Sequence, residues 1–414
     1  MSTDTIAENF DRGEANLKNS AVFNVGKDIR EEWFYERKQW PVLVKSLVGF
    51  LKDEGRSHIF VIGTRGSGKT ALVRYLLNQT QALVRQRYLE RDFEFTHLNC
   101  QVAESSYKLM KAFIGPGILK GRPAKYDTTI QFHNSVKALP KKHVLVLDEL
   151  DCLEDYQLFY NIGTFHELEN LLVIGIGRTP KFFKKAPPDV LTRLQYERVY
   201  FDTYSDYDIA QILQKRAAVG LHACHPRLPL AIANANVVYA NSDVRAGIKV
   251  LKAVAGVQSY VDLERLPDAL VEDVQTRVQE EYNAVQADAI QNLGDVKLAV
   301  LYFCLKCGQS NTAYNEYAKL AKRPMSKVWF LHNVDELSNM DLLAAQRLRR
   351  GRSDIIQFNT GGELLSHRNM ELVRQLMATG TNGAVKHLGV SMAAVDDARP
   401  VLGPMAPLSD HARG

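Results

Sequence analysis

Short, continuous apolar runs at 59–62, 143–147 and 171–176 punctuate the first half of the chain, separated by turns and stretches of helical periodicity. Runs of this length without polar alternation suit strands buried on both faces. Two more strands are expected at 93–98 (FEFTHL) and 198–201 (RVYF). Val42, Leu43, Leu47, Val48 and Leu51 recur at helical spacing ahead of the first strand, and two helical stretches flank a Gly/Pro-rich turn at 115–117. Strands that alternate with helices predict an α/β fold with a parallel five-stranded sheet.

After Thr203 the pattern becomes purely helical. Ile209, Ile212 and Leu213 begin it, and two further amphipathic stretches follow before an acidic segment at about 266–290. From about 291 the pattern changes again. GDVKLAVLYFCLKC, NTAYNEYAKLA and SKVWFLHNVDELSNMDLL read as three helices, and AAQRLRRGRSDIIQF as two short strands around a basic turn. Three helices and a hairpin form the winged-helix arrangement. In its third helix Val328, Leu331, Val334 and Leu337 are spaced for the core, which leaves Ser326, Lys327 and Asn333 toward a groove. The expected organisation is a polar N-terminus at 1–20, a core at 21–202, a helical domain at 203–288, the winged helix at 289–360, and a tail at 361–414. The tail carries one helical patch at 369–377 and is otherwise expected to be disordered.

The chain has 414 residues, enough for two or three domains, and its 46% hydrophobic and 24% charged content is that of an ordinary globular protein. A net charge of +5 says less than the local clustering of arginines. Five scattered cysteines do not form a disulfide framework, and a reducing compartment is expected. No apolar run reaches membrane-spanning length, and the first residues read as neither a secretory nor a mitochondrial signal. Cys304 and Cys307 lie one turn apart in an apolar helix; without a second such pair they read as core residues rather than zinc ligands.

Chemistry is concentrated in IFVIGTRGSGKTALVRYLLN, residues 59–78. The turn Gly63, Thr64, Arg65, Gly66, Ser67, Gly68, Lys69, Thr70 is a phosphate-binding loop between a strand and a helix. Its glycines let backbone N–H groups close on phosphate oxygens. Lys69 supplies a charge to the β/γ-phosphates, Thr70 a hydroxyl for Mg²⁺, and the helix N-terminus a positive dipole end. The second signal is VLVLDELD at 144–151, which follows Lys69 at a distance of 79 residues (148 − 69). Asp148, at the C-terminal end of a buried strand, can hold Mg²⁺ through a water, and Glu149 can polarise the attacking water. ATP and Mg²⁺ are the expected ligands. Val22, Phe23, Phe34 and Tyr35 either stack on an adenine ring or belong to the core.

The order of phosphate loop, LNC, LDELD, the IGI-x-x-T strand end, an RL-containing segment and an S-D-x-R helix resembles the initiator clade of AAA+ ATPases. That clade includes the largest subunit of the eukaryotic origin recognition complex, the cell-division-control helicase loader and their archaeal homologues. The resemblance runs from about Val22 to Phe358. It implies an AAA+ core, a helical lid and a C-terminal winged helix. It also implies an element beside the base at Glu36, Arg37 and Gln39, with Arg37 as the candidate contact. Arg245 corresponds to the lid arginine that touches the γ-phosphate. Arg193, in LTRLQYERVYF, falls where a neighbour-directed arginine finger would sit, or else fixes the fifth strand by an ion pair. Arg178 stands where the family has an asparagine, and Gln195 where a glycine is usual. An arginine pairs with phosphate but does not orient water as a neutral amide does, so hydrolysis is expected to be slow or partner-dependent.

For DNA, the basic turn offers Arg347, Arg349, Arg350 and Arg352, and the third helix offers Lys327 and Ser326. Tyr107, Lys108 and Lys111 match a second family element that touches DNA. The resemblance implies an ATP-switched replication initiator that binds origins as double-stranded DNA, assembles with related AAA+ subunits and helps load an MCM-type replicative helicase. No membrane partner is expected. The nucleus is the expected location, with archaeal cytoplasm as the alternative. The competing reading is a STAND-type regulator or an AAA+ scaffold whose nucleotide is structural.

Overall fold

The computed structural model describes residues 16–25, 29–55, 57–114, 125–164, 168–180, 182–183, 186–257, 267–321, 323–340, 342–343, 345–350, 353–358 and 365–379. The chain divides into two compact units, Met1–Gln279 and Glu280–Gly414. In the first, strands β1 (His58–Gly63), β2 (Phe93–Asn99), β3 (Lys142–Asp148), β4 (Leu171–Gly177) and β5 (Tyr196–Phe201) form one parallel sheet in the order β2-β3-β4-β1-β5. Every strand therefore delivers its C-terminal end to the same edge of the sheet. Gly63, Asp148, Gly177 and Phe201 end their strands there, where an α/β sheet binds its ligands.

The strictly apolar runs are explained by two cores, one on each face. Ile59 and Val61, Val144 and Val146, Leu172 and Ile174 point to one face, against Leu72, Val73, Leu76 and Leu77 of the helix Lys69–Arg87. Phe60, Leu145, Leu147, Leu171 and Val173 alternate to the other, against Phe159, Ile162 and Phe182. A strand with apolar partners on both sides has no position for a polar residue. The edge strand β5 differs, with exposed positions interrupting its buried ones.

Three helices follow β5: Asp206–Gly220, Arg227–Tyr239 and Val244–Val257. The first is opened by a capping box, with the Ser205 side chain accepting from the Asp208 N–H and the Asp208 carboxylate accepting from the Ser205 N–H. The N-terminal segment is packed against this helix. Leu17 bridges to Leu221, Asn16 is buried with hydrogen bonds to Ala223, and Phe23 rests on Gly220, where a Cβ would come within 2.5 Å of the ring. The expected polar N-terminus thus already contains structure by residue 16, while residues 1–15 and 380–414, including most of the expected disordered tail, lie outside the described residues.

The second unit holds helices Asp295–Cys307, Ser310–Leu320 and Lys327–Asn339, the antiparallel hairpin of β6 (Ala345–Arg350) and β7 (Ser353–Phe358), and the helix His367–Thr379. Phe303, Tyr317, Phe330, Val334, Ile356 and Phe358 share one core, to which fully buried Cys304 also belongs. The helix Lys327–Asn339 corrects one expectation. Its buried stripe is Phe330, Asn333, Val334 and Leu337, whereas Val328 is 78% and Trp329 62% exposed. Phe330 sets the phase of the helix, and residue 328 lies about 200° around from it at 100° per residue. Asn333, expected at a groove, instead donates to the carbonyl of Trp329 inside the core. Among the described residues no helix is long and apolar enough to cross a membrane.

Phe60 sits among Phe159, Phe182, Phe183 and Tyr196, with ring centroids 5.1–5.8 Å away, and over Gly175. Phe60→Ala is expected to destabilise the first unit by about 3–5 kcal/mol, measured from its denaturant midpoint.

Candidate nucleotide site

A cavity of about 440 Å³ opens at the C-terminal edge of the sheet. The phosphate loop and polar groups line it through Arg65, Gly66, Gly68, Lys69, Thr70, Asp148, Glu149, Arg178 and Arg245. Its apolar and aromatic lining comes from Val25, Ile29, Trp33, Tyr35, Tyr204, Ile212 and Ile248. A volume of this size with apolar walls and convergent polar groups suits a nucleotide.

The loop between β1 and its helix is held from three sides. Gly66 and Gly68 have φ of 75° and 81°, the left-handed region that disfavours other residues. Each is also pressed by another side chain, Gly66 by Asp243 of the lid and Gly68 by the Tyr204 hydroxyl. The glycines are therefore required by the protein's own packing as well as by a phosphate. Lys69 donates to the carbonyls of Gly63 and Thr64, both at 2.7 Å. The Ser67 hydroxyl donates to the Thr64 carbonyl at 2.8 Å.

Arg37 acts from behind. Its Nη1 donates to the Ser67 carbonyl at 2.6 Å and its Nη2 to the Asp202 carbonyl at 2.9 Å, with the guanidinium 4.1 Å from the Tyr204 ring centroid. It braces the loop against the end of β5 and does not line the cavity. Phe23 does not line it either, being buried on Gly220. The aromatic wall comes from Trp33 and Tyr35, while Phe34 stacks at 4.1 Å on Tyr75. Trp33 and Tyr35 thus face the cavity, while Phe34 between them packs against Trp40 and Tyr75.

On the acid side, Thr70 Oγ1 donates to Asp148 Oδ2 at 3.0 Å. Burial pushes the Asp148 carboxyl up, but hydrogen bonds from His97, Thr70 and the Glu149 N–H outweigh it, so Asp148 lies below the ordinary carboxylate range. A hydroxyl and an ionised carboxylate converging beside the loop are the hard oxygen donors that Mg²⁺ takes together with phosphates and waters. The residues fit the ion, which would neutralise phosphate charge there. Glu149 adopts φ 54°, ψ 44° and is paired in bidentate fashion with Arg178, at 3.0 and 3.1 Å. Asp151 secures that arginine's strand end by accepting from the Arg178 N–H and from Thr179 Oγ1. Arg245 faces the cavity and is held by the Asp243 carboxylate.

Besides Trp33, three polar residues were not expected from the sequence. His97 and Arg74 form a chain leading to Asp148. Arg216 lines the cavity, donates to the Val22 carbonyl, and has a buried Nε without a hydrogen-bond partner among the described residues. Burial lowers its pKa to about 10. No spacing rule marks these residues, because the contacts join different strands and helices.

Other expected residues lie elsewhere. Arg193 is away from the cavity, donating to Thr164 Oγ1 at 3.2 Å with its guanidinium 5.2 Å from the Tyr160 ring. Lys108, on the helix Ser106–Ile114, pairs with Glu104 at 3.2 Å. In the second unit Ser326 caps the helix Lys327–Asn339 through the Trp329 N–H, and Lys327 is exposed. Arg347, Arg349 and Arg350 are on β6, opposite Ile356, Asp354 and Ser353, whereas Arg352 lies outside the described residues.

The sheet, the phosphate loop and the acid pair at one edge define a P-loop ATPase of the AAA+ type. A family model described as AAA domain matches residues 52–182. The chain is similar to the ORC1-type DNA replication protein of Pyrococcus abyssi, 24% identical over 82% of this chain and 87% of that protein. It is 23% identical to ORC1-type DNA replication protein 1 of Methanosarcina acetivorans, over 97% of this chain and 94% of that one. In fold it is similar to the Aeropyrum pernix ORC1 protein solved in complex with DNA, with a TM-score of 0.62 and 19% identity, over 87% of this chain and 97% of that one. Over most of its length the chain is thus similar to ORC1-type initiator proteins, with an AAA domain at its core.

Burial lowers the Lys69 pKa to about 8. Phosphate favours the charged form, so bound nucleotide raises it. Below pH 8 Lys69 is charged in both states and affinity is flat. Above pH 8 binding takes up a proton, and ATP affinity falls by up to about tenfold per pH unit. Calorimetry at pH 8.5 in buffers of different ionisation enthalpy is expected to show net proton uptake on binding.

Proposed function

We propose that this chain is a replication initiator that binds ATP in the cavity and duplex DNA through its second unit, read as a winged helix. The observation that carries this is the ORC1-type relatives, which extend over 82% and 97% of the chain and so include both units. Elements of the second unit are consistent with it: three helices, a hairpin with arginines on β6, and an exposed Ser326–Lys327 start to the third helix. The Aeropyrum pernix relative was solved on DNA. These relatives are archaeal, which fits an archaeal cytoplasm and does not support the nuclear expectation.

In this reading ATP is an assembly switch. Lys69, the loop N–H groups and Arg245 hold the phosphates, with Thr70 and Asp148 at Mg²⁺. Arg245 comes from the lid, so closing it on a γ-phosphate exchanges the Asp243 pairing for a phosphate one. Assembly with related AAA+ subunits, Arg193 acting on a neighbour's nucleotide, and delivery of an MCM-type helicase complete the proposal. The Glu149–Arg178 pair favours slow hydrolysis, because a carboxylate held by two charged hydrogen bonds is a poor acceptor for a proton of the attacking water.

Freeing Glu149 by Arg178→Asn is expected to raise steady-state ATP turnover by about tenfold or more. A turnover no higher than wild type, with ATP affinity intact, would show that the pair is no brake. For DNA, changing Arg349 and Arg350 both to alanine is expected to lower the slope of log affinity against log salt by about 2. An unchanged slope removes these arginines from the DNA interface, and DNA binding indifferent to ATP in wild type and in Lys69→Ala removes the switch.

A further inference from the structure

The acid that faces Thr70 has a second partner that the phosphate-loop signature does not contain. His97 Nε2 lies 3.1 Å from Asp148 Oδ2, and Arg74 Nε lies 3.1 Å from His97 Nδ1. The arginine is donor only, so Nδ1 must accept, and the ring proton is placed on Nε2, where it donates to the carboxylate. His97 and Asp148 face one another because β2 and β3 are parallel neighbours, with His97 in register with Val146 and Asn99 with Asp148. Their side chains are only 19% and 13% exposed, so water competes weakly for the bond. Arg74 projects from the helix Lys69–Arg87, one turn beyond Thr70. The result is a closed ring: helix to Arg74, His97 and Asp148, then back to the same helix through Thr70.

We propose that His97 is a positioning residue for Asp148, holding its Oδ2 toward Thr70 so that the two oxygens are preset for Mg²⁺ delivered with the nucleotide. The inference rests on the nucleotide-site reading above. It has a physical logic in the division of donors. A Thr70 oxygen that turns to a metal loosens its own bond to Asp148. The His97 bond has no such second task, and it keeps the carboxylate from rotating. The Glu149 N–H, 2.9 Å from Oδ1, fixes the other oxygen. An outer partner of this kind typically changes metal affinity by about 10–100-fold when removed.

The readout is the ratio of ATP affinities in saturating magnesium and in EDTA, measured by fluorescence of a labelled ATP on the full chain. His97→Phe, which removes both ring nitrogens, is expected to reduce the ratio about tenfold and leave the EDTA affinity within about twofold of wild type. His97→Gln retains an N–H donor and is expected to recover much of it; should the phenylalanine variant not fold, this variant is compared with His97→Leu. In an Asp148→Asn background, His97→Phe is expected to add little, because both changes remove the same interaction. A full magnesium ratio in folded His97→Phe overturns the proposal, as does an effect that is additive with Asp148→Asn. A wild type that binds ATP with no magnesium dependence would fail the site reading itself, a result distinct from either.

Discussion

A buried ammonium must be surrounded by oxygen, and Lys69 imposes that condition on the loop around it. It donates to the carbonyls of Gly63 and Thr64, which gather around the ammonium. The same carbonyl ring is braced behind by Arg37, which reaches the Ser67 carbonyl and the Asp202 carbonyl together. Two cations thus engage the loop's carbonyls, Lys69 those of Gly63 and Thr64 and Arg37 that of Ser67. The loop is ready for an anion because its acceptors are already occupied.

The lid is tied into this arrangement through short contacts on both sides of the cavity. Asp243 presses on Gly66 and holds Arg245, and Tyr35 donates to Asp208 on the first lid helix. Lys215 of that helix donates to the Phe34 carbonyl at 2.6 Å. A segment of only a few residues, from Phe34 to Gln39, therefore touches the lid, the phosphate loop and β5, the last through Gln39 and the Tyr200 carbonyl. The lid is thus joined to this segment by hydrogen bonds as well as by apolar packing, and hydrogen bonds of fixed direction favour discrete positions over gradual ones.

The acid side shows the reverse emphasis. Asp148 is supported by three donors and stays ionised, whereas Glu149 is engaged by Arg178. On the proposed reading, the holding of nucleotide and its cleavage would fall to two adjacent residues in opposite circumstances.

Much of the fold was legible along the chain. Uninterrupted apolar runs announced β1, β3 and β4 because a strand buried on both faces leaves its mark at every position. The phosphate loop and Asp148–Glu149 were legible because their chemistry demands particular residues at short, fixed spacing. The hairpin followed from turn residues and charge. Tertiary structure alone decided the rest. Phe23 turned into the lid, Arg37 stood behind the loop, and Trp33 and Tyr35 faced the cavity, since which side of a segment is inside depends on its neighbours. Phe330 set the phase of its helix and turned Val328 outward. His97 came to Asp148 through the parallel pairing of strands 49 residues apart (142 − 93), a register set by the whole sheet. Local chemistry writes itself into adjacent residues; contacts between distant segments depend on packing that no single stretch encodes.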